Sequence, residues 1–129
     1  MKSILVLMSF FALTFTTALS AQTTNSLDGK SFTVKTWDTT NAKLQTPEAL
    51  EFTDGMADAP VCHMYGFTAA PYRVYQKDGR TWFDFVSSSE TEGELRFTGF
   101  VKDNVIEGLY TWIKDGREDL QYQFDGKLN

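Results

Sequence analysis

Cys62 and His63 stand side by side, and each is the only residue of its type in the chain. A thiol next to an imidazole invites two readings, a metal site or an activated nucleophile. Neither fits a strand, where neighbouring side chains point to opposite faces. Zinc takes four ligands, mostly Cys and His, and this pair supplies two. Ser87, Ser88 and Ser89 lie beside Glu90 and Glu92. A serine nucleophile needs a base, and the one candidate, His63, is distant in sequence. Asp84, Glu94 and Glu107 could pair as the carboxylates of glycoside hydrolysis do. Arg73 and Arg96 nearby make simple ion pairing the better reading. No nucleophile elbow, phosphate loop or dinucleotide fingerprint occurs. No catalytic residue, metal or cofactor is therefore assigned, and a hydrolase ranks last among the functional readings.

The remaining chemistry is aromatic. Phe83, Phe97, Tyr110, Trp112 and Tyr122 fall on one predicted sheet face, with Gly99 and Gly108 between them. Two missing side chains permit a bend or admit a large ring. These seven residues are the predicted lining of a ligand site, because pockets are largely apolar with a few polar tips. Tyr110 and Tyr122 are the best lining candidates, since each hydroxyl needs a partner. Trp37, Trp82 and Phe100 fall on the opposite face, either as a protein contact patch or packed under the N-terminal leader.

The elements that must position these residues read as strands. Lys77-Asp78-Gly79, Lys102-Asp103-Asn104 and Lys114-Asp115-Gly116 punctuate runs of alternating apolar residues. Asp-Gly and Asp-Asn accept the positive φ of tight hairpin turns. A two-residue Asp103-Asn104 turn sets Val101 opposite Ile106, Gly99 opposite Gly108, Phe97 opposite Tyr110 and Leu95 opposite Trp112. An Asp78-Gly79 turn sets Val74 beside Phe83 and Tyr72 beside Phe85. A loop centred on Glu90 predicts Phe83 beside Phe97 and Phe85 beside Leu95. That register collects Arg73, Asp84 and Arg96 in a row on the polar face. A three-residue Lys114-Asp115-Gly116 loop predicts Tyr110 beside Leu120, Gly108 beside Tyr122 and Ile106 beside Phe124.

Upstream, Ser31 to Trp37 alternates as a first strand, and Asp38 to Gln45 reads as a polar loop. Thr46 to Phe52 reads as a strand ending in an Asp54-Gly55 turn. A short strand follows within Met56 to Tyr65, then a break over Gly66 to Pro71. No long amphipathic helix is present to cover the apolar face, so the sheet must curl onto itself. The predicted fold is all-β, a small antiparallel up-and-down meander of seven or eight strands closed as a lipocalin-like β-barrel. A β-sandwich with the same meander is the alternative.

The first 21 residues read differently. Lys2, an apolar run from Ile4 to Phe15, and small residues up to Ser20 and Ala21 form the three-part layout of a secretory signal peptide. The domain is then residues 22–129, with 22–30 as a loose polar leader, and the location periplasmic or secreted. Without Lys2, 11 of the 12 basic residues remain against 17 acidic ones, a net of −6. Acidic charge disfavours nucleic acid and anionic membranes as partners. No membrane span is expected after cleavage, and a monomer is expected. A lone cysteine forms no internal disulfide, and burial as an inert thiol is its expected fate.

Cys62-x-x-Tyr65-Gly66-Phe67, Tyr72, Phe85, Gly93, Gly99-x-Val101, Ile106-x-Gly108, Trp112 and Tyr122-x-Phe124-x-Gly126 resemble a group of small exported bacterial β-proteins without an assigned activity. Phe97 stands where that pattern would have tryptophan. More loosely, the chain is similar to the lipocalin-like (calycin) barrels, although Gly29-Lys30-Ser31 replaces a Gly-x-Trp at the first strand. That resemblance implies an apolar cavity. The leading expectation is a non-catalytic binding module for an apolar or amphipathic small molecule. The alternative is an interaction domain that contacts an envelope protein.

Overall fold

The computed structural model describes residues 26–129, without the side chains of residues 41–44. The signal-peptide expectation for residues 1–21, and residues 22–25 of the leader, lie outside the described residues. Eight antiparallel strands close into an up-and-down barrel: β1 (Ser31–Asp38), β2 (Asn41–Thr53), β3 (Met56–Asp58), β4 (Ala70–Lys77), β5 (Arg80–Ser89), β6 (Gly93–Lys102), β7 (Val105–Ile113) and β8 (Leu120–Leu128). Pairing of β1 with β8, from Phe32 opposite Leu128 to Asp38 opposite Tyr122, seals the ring. A closed ring, not a sandwich, buries the single apolar face. One 3₁₀ helix, Pro60–Tyr65, joins β3 to β4. Among the described residues no helix is long and apolar enough to cross a membrane.

Alternate turns of such a meander lie at opposite ends. At one end sit Asp54-Gly55, Asp78-Gly79 and Asp103-Asn104, each pair with positive φ at both positions. That is the backbone a two-residue type I′ hairpin requires. Registers set by these turns match expectation: Val74 faces Phe83, Tyr72 faces Phe85, and β6–β7 pairs Gly99 with Gly108 and Phe97 with Tyr110. The longer connections all gather at the other end, termed the mouth.

Both register corrections fall at the mouth. Phe85, not Phe83, faces Phe97, and Ser87, not Phe85, faces Leu95. Tyr110 faces Tyr122 rather than Leu120, Gly108 faces Phe124, and Ile106 faces Gly126. Each pairing slipped by two residues, which keeps every side chain on its face. The charge row changes as well. Arg73 binds Asp84 at 2.9 Å, but Arg96 faces Val86 and pairs with Glu94. Asp38 to Gln45 is not a loop, since β2 starts at Asn41 and pairs along β1. Cys62 and His63 lie on the 3₁₀ helix rather than on a strand.

The end with the tight turns is dry. Phe32, Phe52, Phe83 and Ile106 are fully buried there, with Leu50 beside them. Phe52 meets Phe32, Tyr72 and Phe83 edge-on, at ring separations of 5.0–6.1 Å. The leader is not loose from Ser26 onward. Leu27, 2 % exposed, joins the core. Asp28 accepts hydrogen bonds from the Tyr72 hydroxyl and the Gly55 N–H, which hold its carboxyl below the usual range. Gly29 donates to the Phe52 carbonyl at 2.7 Å.

Candidate functional site

The corrected registers align four inward rings in one cross-strand row, Phe85–Phe97–Tyr110–Tyr122. Successive centroids lie 4.4, 4.8 and 4.9 Å apart, with planes within 29° of parallel. The next row toward the dry end reads Phe83–Gly99–Gly108–Phe124. The expected gap over the two glycines is filled from both sides. A Cβ on Gly99 would lie 3.0 Å from Phe83 Cζ, and one on Gly108 would lie 2.5 Å from Phe124 Cζ. The rings lie over the bare backbone, so no ligand space opens there.

Space opens on the mouth side of the aromatic row. A cavity of about 270 Å³ is lined by Thr46, Glu48, Cys62, Phe67, Leu95, Tyr110, Trp112 and Tyr122, with Val61, Met64 and Tyr65 at its rim. Of the seven predicted lining residues, Tyr110, Trp112 and Tyr122 are there. Phe97 is stacked behind Tyr110. Phe83 belongs to the dry end. Gly99 and Gly108 border a shallow groove on the outside of the barrel instead, together with Trp37, Trp82 and Phe100. Those three rings are half-buried. Trp82 stacks on Tyr75 and packs on Phe100, Arg80 caps Phe100 at 4.5 Å, and Trp37 donates to Gln123.

Thr36 and Glu48 were missed. Register explains how they reach the interior: Phe32, Val34 and Thr36 face inward from β1, opposite Leu50, Glu48 and Thr46. The signal was present in the alternation Thr46-x-Glu48-x-Leu50-x-Phe52, which places a carboxyl on the row of two core residues. Thr36 Oγ1 lies 3.0 Å from Glu48 Oε1. Burial pushes the Glu48 carboxyl above its usual range, and the Thr36 hydrogen bond opposes this only in part. Burial, with the Glu48 and Asp58 carboxylates, pushes the Cys62 thiol up to about 12. Burial first, then Glu48, also raises the Tyr110 phenol. At neutral pH the thiol is thus protonated and a poor nucleophile.

The 3₁₀ helix covers this end. Pro60 starts it, and Gly66, at φ +85°, stops it. Phe67 then turns inward and meets Trp112 edge-on at 6.4 Å. Met64 and Tyr65 remain 75 % and 53 % exposed, an unusual position for large apolar side chains. The neighbouring loops are tied down. Trp112 Nε1 donates to the Glu92 carbonyl at 2.6 Å, Lys114 pairs with Glu92 at 2.8 Å, and Arg117 lies over the Trp112 ring.

The other candidate groups are engaged separately. His63 Nε2 lies 2.7 Å from Asp58 Oδ1 on the outside of the barrel. Ser87 and Ser89 donate to the carbonyls of Thr68 and Tyr65. Among the described residues no three Cys, His, Asp or Glu side chains converge as metal ligands do. No protein family, curated protein or solved structure matches the chain.

Proposed function

We propose that the chain is an exported, non-catalytic binding module whose barrel mouth takes a small apolar or amphipathic molecule. The observation that carries the reading is the mouth cavity itself. It is walled by stacked tyrosines and a tryptophan, and among the described residues it holds one half-buried carboxyl instead of a filled core. Apolar walls with a few polar groups are what a small-molecule site requires. At about 270 Å³ the space suits a ligand smaller than a typical drug. The likeness to lipocalin-like barrels and the residues of the N-terminal segment support the same reading, with a monomer as the working unit. The rival reading, a contact patch at Trp37, Trp82 and Phe100, is weakened because these rings are already packed against protein partners.

Native mass spectrometry of protein purified without detergent, with displacement of an apolar fluorescent dye, tests the proposal. A bound small species and a displaceable dye are expected. Both should vanish in Thr46→Trp, which fills the mouth from an exposed position. Failure of both assays on the natural chain, or dye binding untouched by that substitution, overturns it.

A further inference from the structure

Resting on that reading, we infer that the mouth selects its ligand by head group. The preferred ligand is a small amphiphile with a primary amine, its ammonium on the Glu48 carboxyl and its apolar part along the Tyr110 and Tyr122 rings.

Charge is the first argument. Among the described residues Glu48 is the sole charged side chain that lines the cavity, with no Lys, Arg or His beside it. Described basic groups near this end are engaged elsewhere: Lys114 by Glu92, Arg96 by Glu94, Arg117 by the face of Trp112, His63 by Asp58. A fatty-acid carboxylate would meet Glu48 with no counter-charge. An ammonium would meet an acceptor whose hydrogen-bond partner among the described residues is the Thr36 hydroxyl.

Wall chemistry is the second argument. Tyr110 is stacked on both faces, by Phe97 and Tyr122, but Tyr122, last in the row of rings, has a stacked neighbour on one face only and lines the cavity. Such rings attract a cation, and more strongly when it is desolvated. The same rings take up a short alkyl or aryl tail. Burial raises Glu48 by stripping water from its charged form, a cost that a bound ammonium would offset. Cys62 and Tyr110, which lie near it, are shifted upward too and stay protonated at neutral pH.

The test is a matched series of equal tail length: octylamine, octanol and octanoate, each titrated against the natural chain near neutral pH. Octylamine should bind at least about tenfold tighter than octanoate, with octanol between them. Glu48→Gln should bring amine and carboxylate to within about threefold and leave octanol unchanged. For the natural chain, the amine preference should fade as the pH falls toward 4.5, the ordinary glutamate value, where Glu48 is protonated. Octanoate binding as tightly as octylamine to the natural chain overturns the selectivity and leaves the binding module standing. So does a preference that survives the low-pH titration. Binding of none of the three overturns both.

Discussion

At the closed end of the barrel, three two-residue turns beginning with Asp bring strands together over a plug of phenylalanines and Leu27. At the mouth, the connections are Thr39-Thr40, a 3₁₀ helix, Glu90–Glu92 and residues 114–119, and the interior carries Thr36, Glu48 and Ser87, with Thr46 exposed at the rim. The inward residues of β1 change from Phe32 to Thr36, and those of β2 from Phe52 to Thr46, over four and six positions. Tight turns with full burial at one end supply stability. The other end can then hold a carboxyl, a cysteine and open space, each of which costs stability. Close packing and open space are thus separated along the barrel axis.

This division is testable by comparing equivalent substitutions at the two ends. Phe52→Ala removes a fully buried ring that touches three others, and should cost about 3–5 kcal/mol in denaturant unfolding. Tyr122→Ala, at the mouth, should cost about 1–2 kcal/mol, since the ring is half-buried. Equal losses would erase the distinction. Between the ends, Gly108→Ala drives a methyl group into the Phe124 ring and the Thr98 carbonyl, and should cost about 1–3 kcal/mol by the same measurement. A neutral result would mean that the rings do not lie over the glycine pair.

The smallest effect has the opposite sign. Burial raises Glu48, so folding favours its protonated form. That stabilising contribution is complete below the unfolded value near 4.5 and is lost as pH rises through the higher folded value. Glu48→Gln stays neutral throughout. It should therefore melt like the natural chain below pH 4.5 and at a higher temperature near neutral pH. A destabilised variant at neutral pH would place Glu48 in the scaffold instead of the site.

Legibility in the sequence divides along the same axis. Asp78-Gly79 and Asp103-Asn104 adopt the two-residue turn that they favour, and that turn dictates one register. The β4–β5 and β6–β7 pairings follow residue by residue. Glu90–Glu92 and the Lys114 loop carry no such constraint. Only hydrophobic alternation remains there, and it cannot detect a slip of two, which exchanges Phe83 for Phe85 without moving either to the other face. The 3₁₀ helix spans six residues, too few for any periodicity to show. Glu48 went unnoticed although it lies in the Thr46–Phe52 stretch that reads as a strand, because a carboxyl is not expected on the inward row of Leu50 and Phe52. Tyr110, Trp112 and Tyr122 were legible as lining because the two-residue turn fixes β7 and any even register of β8 keeps Tyr122 inward. The carboxyl that gives the cavity its charge was not.

The hydrogen bonds between β1 and β8 set an order on assembly. Asn129 donates to the Ser31 carbonyl at 2.9 Å, and Thr33 Oγ1 donates to the Asn129 side chain at 2.6 Å, across 96 or more positions of chain. Hairpins can zip as they are made, but the circle waits for β8. A nascent chain that has emerged only as far as Asp119 leaves the outer rims of β1 and β7 bare, an open template for pairing with a second molecule. Protection from aggregation thus arrives only when β8 docks between them.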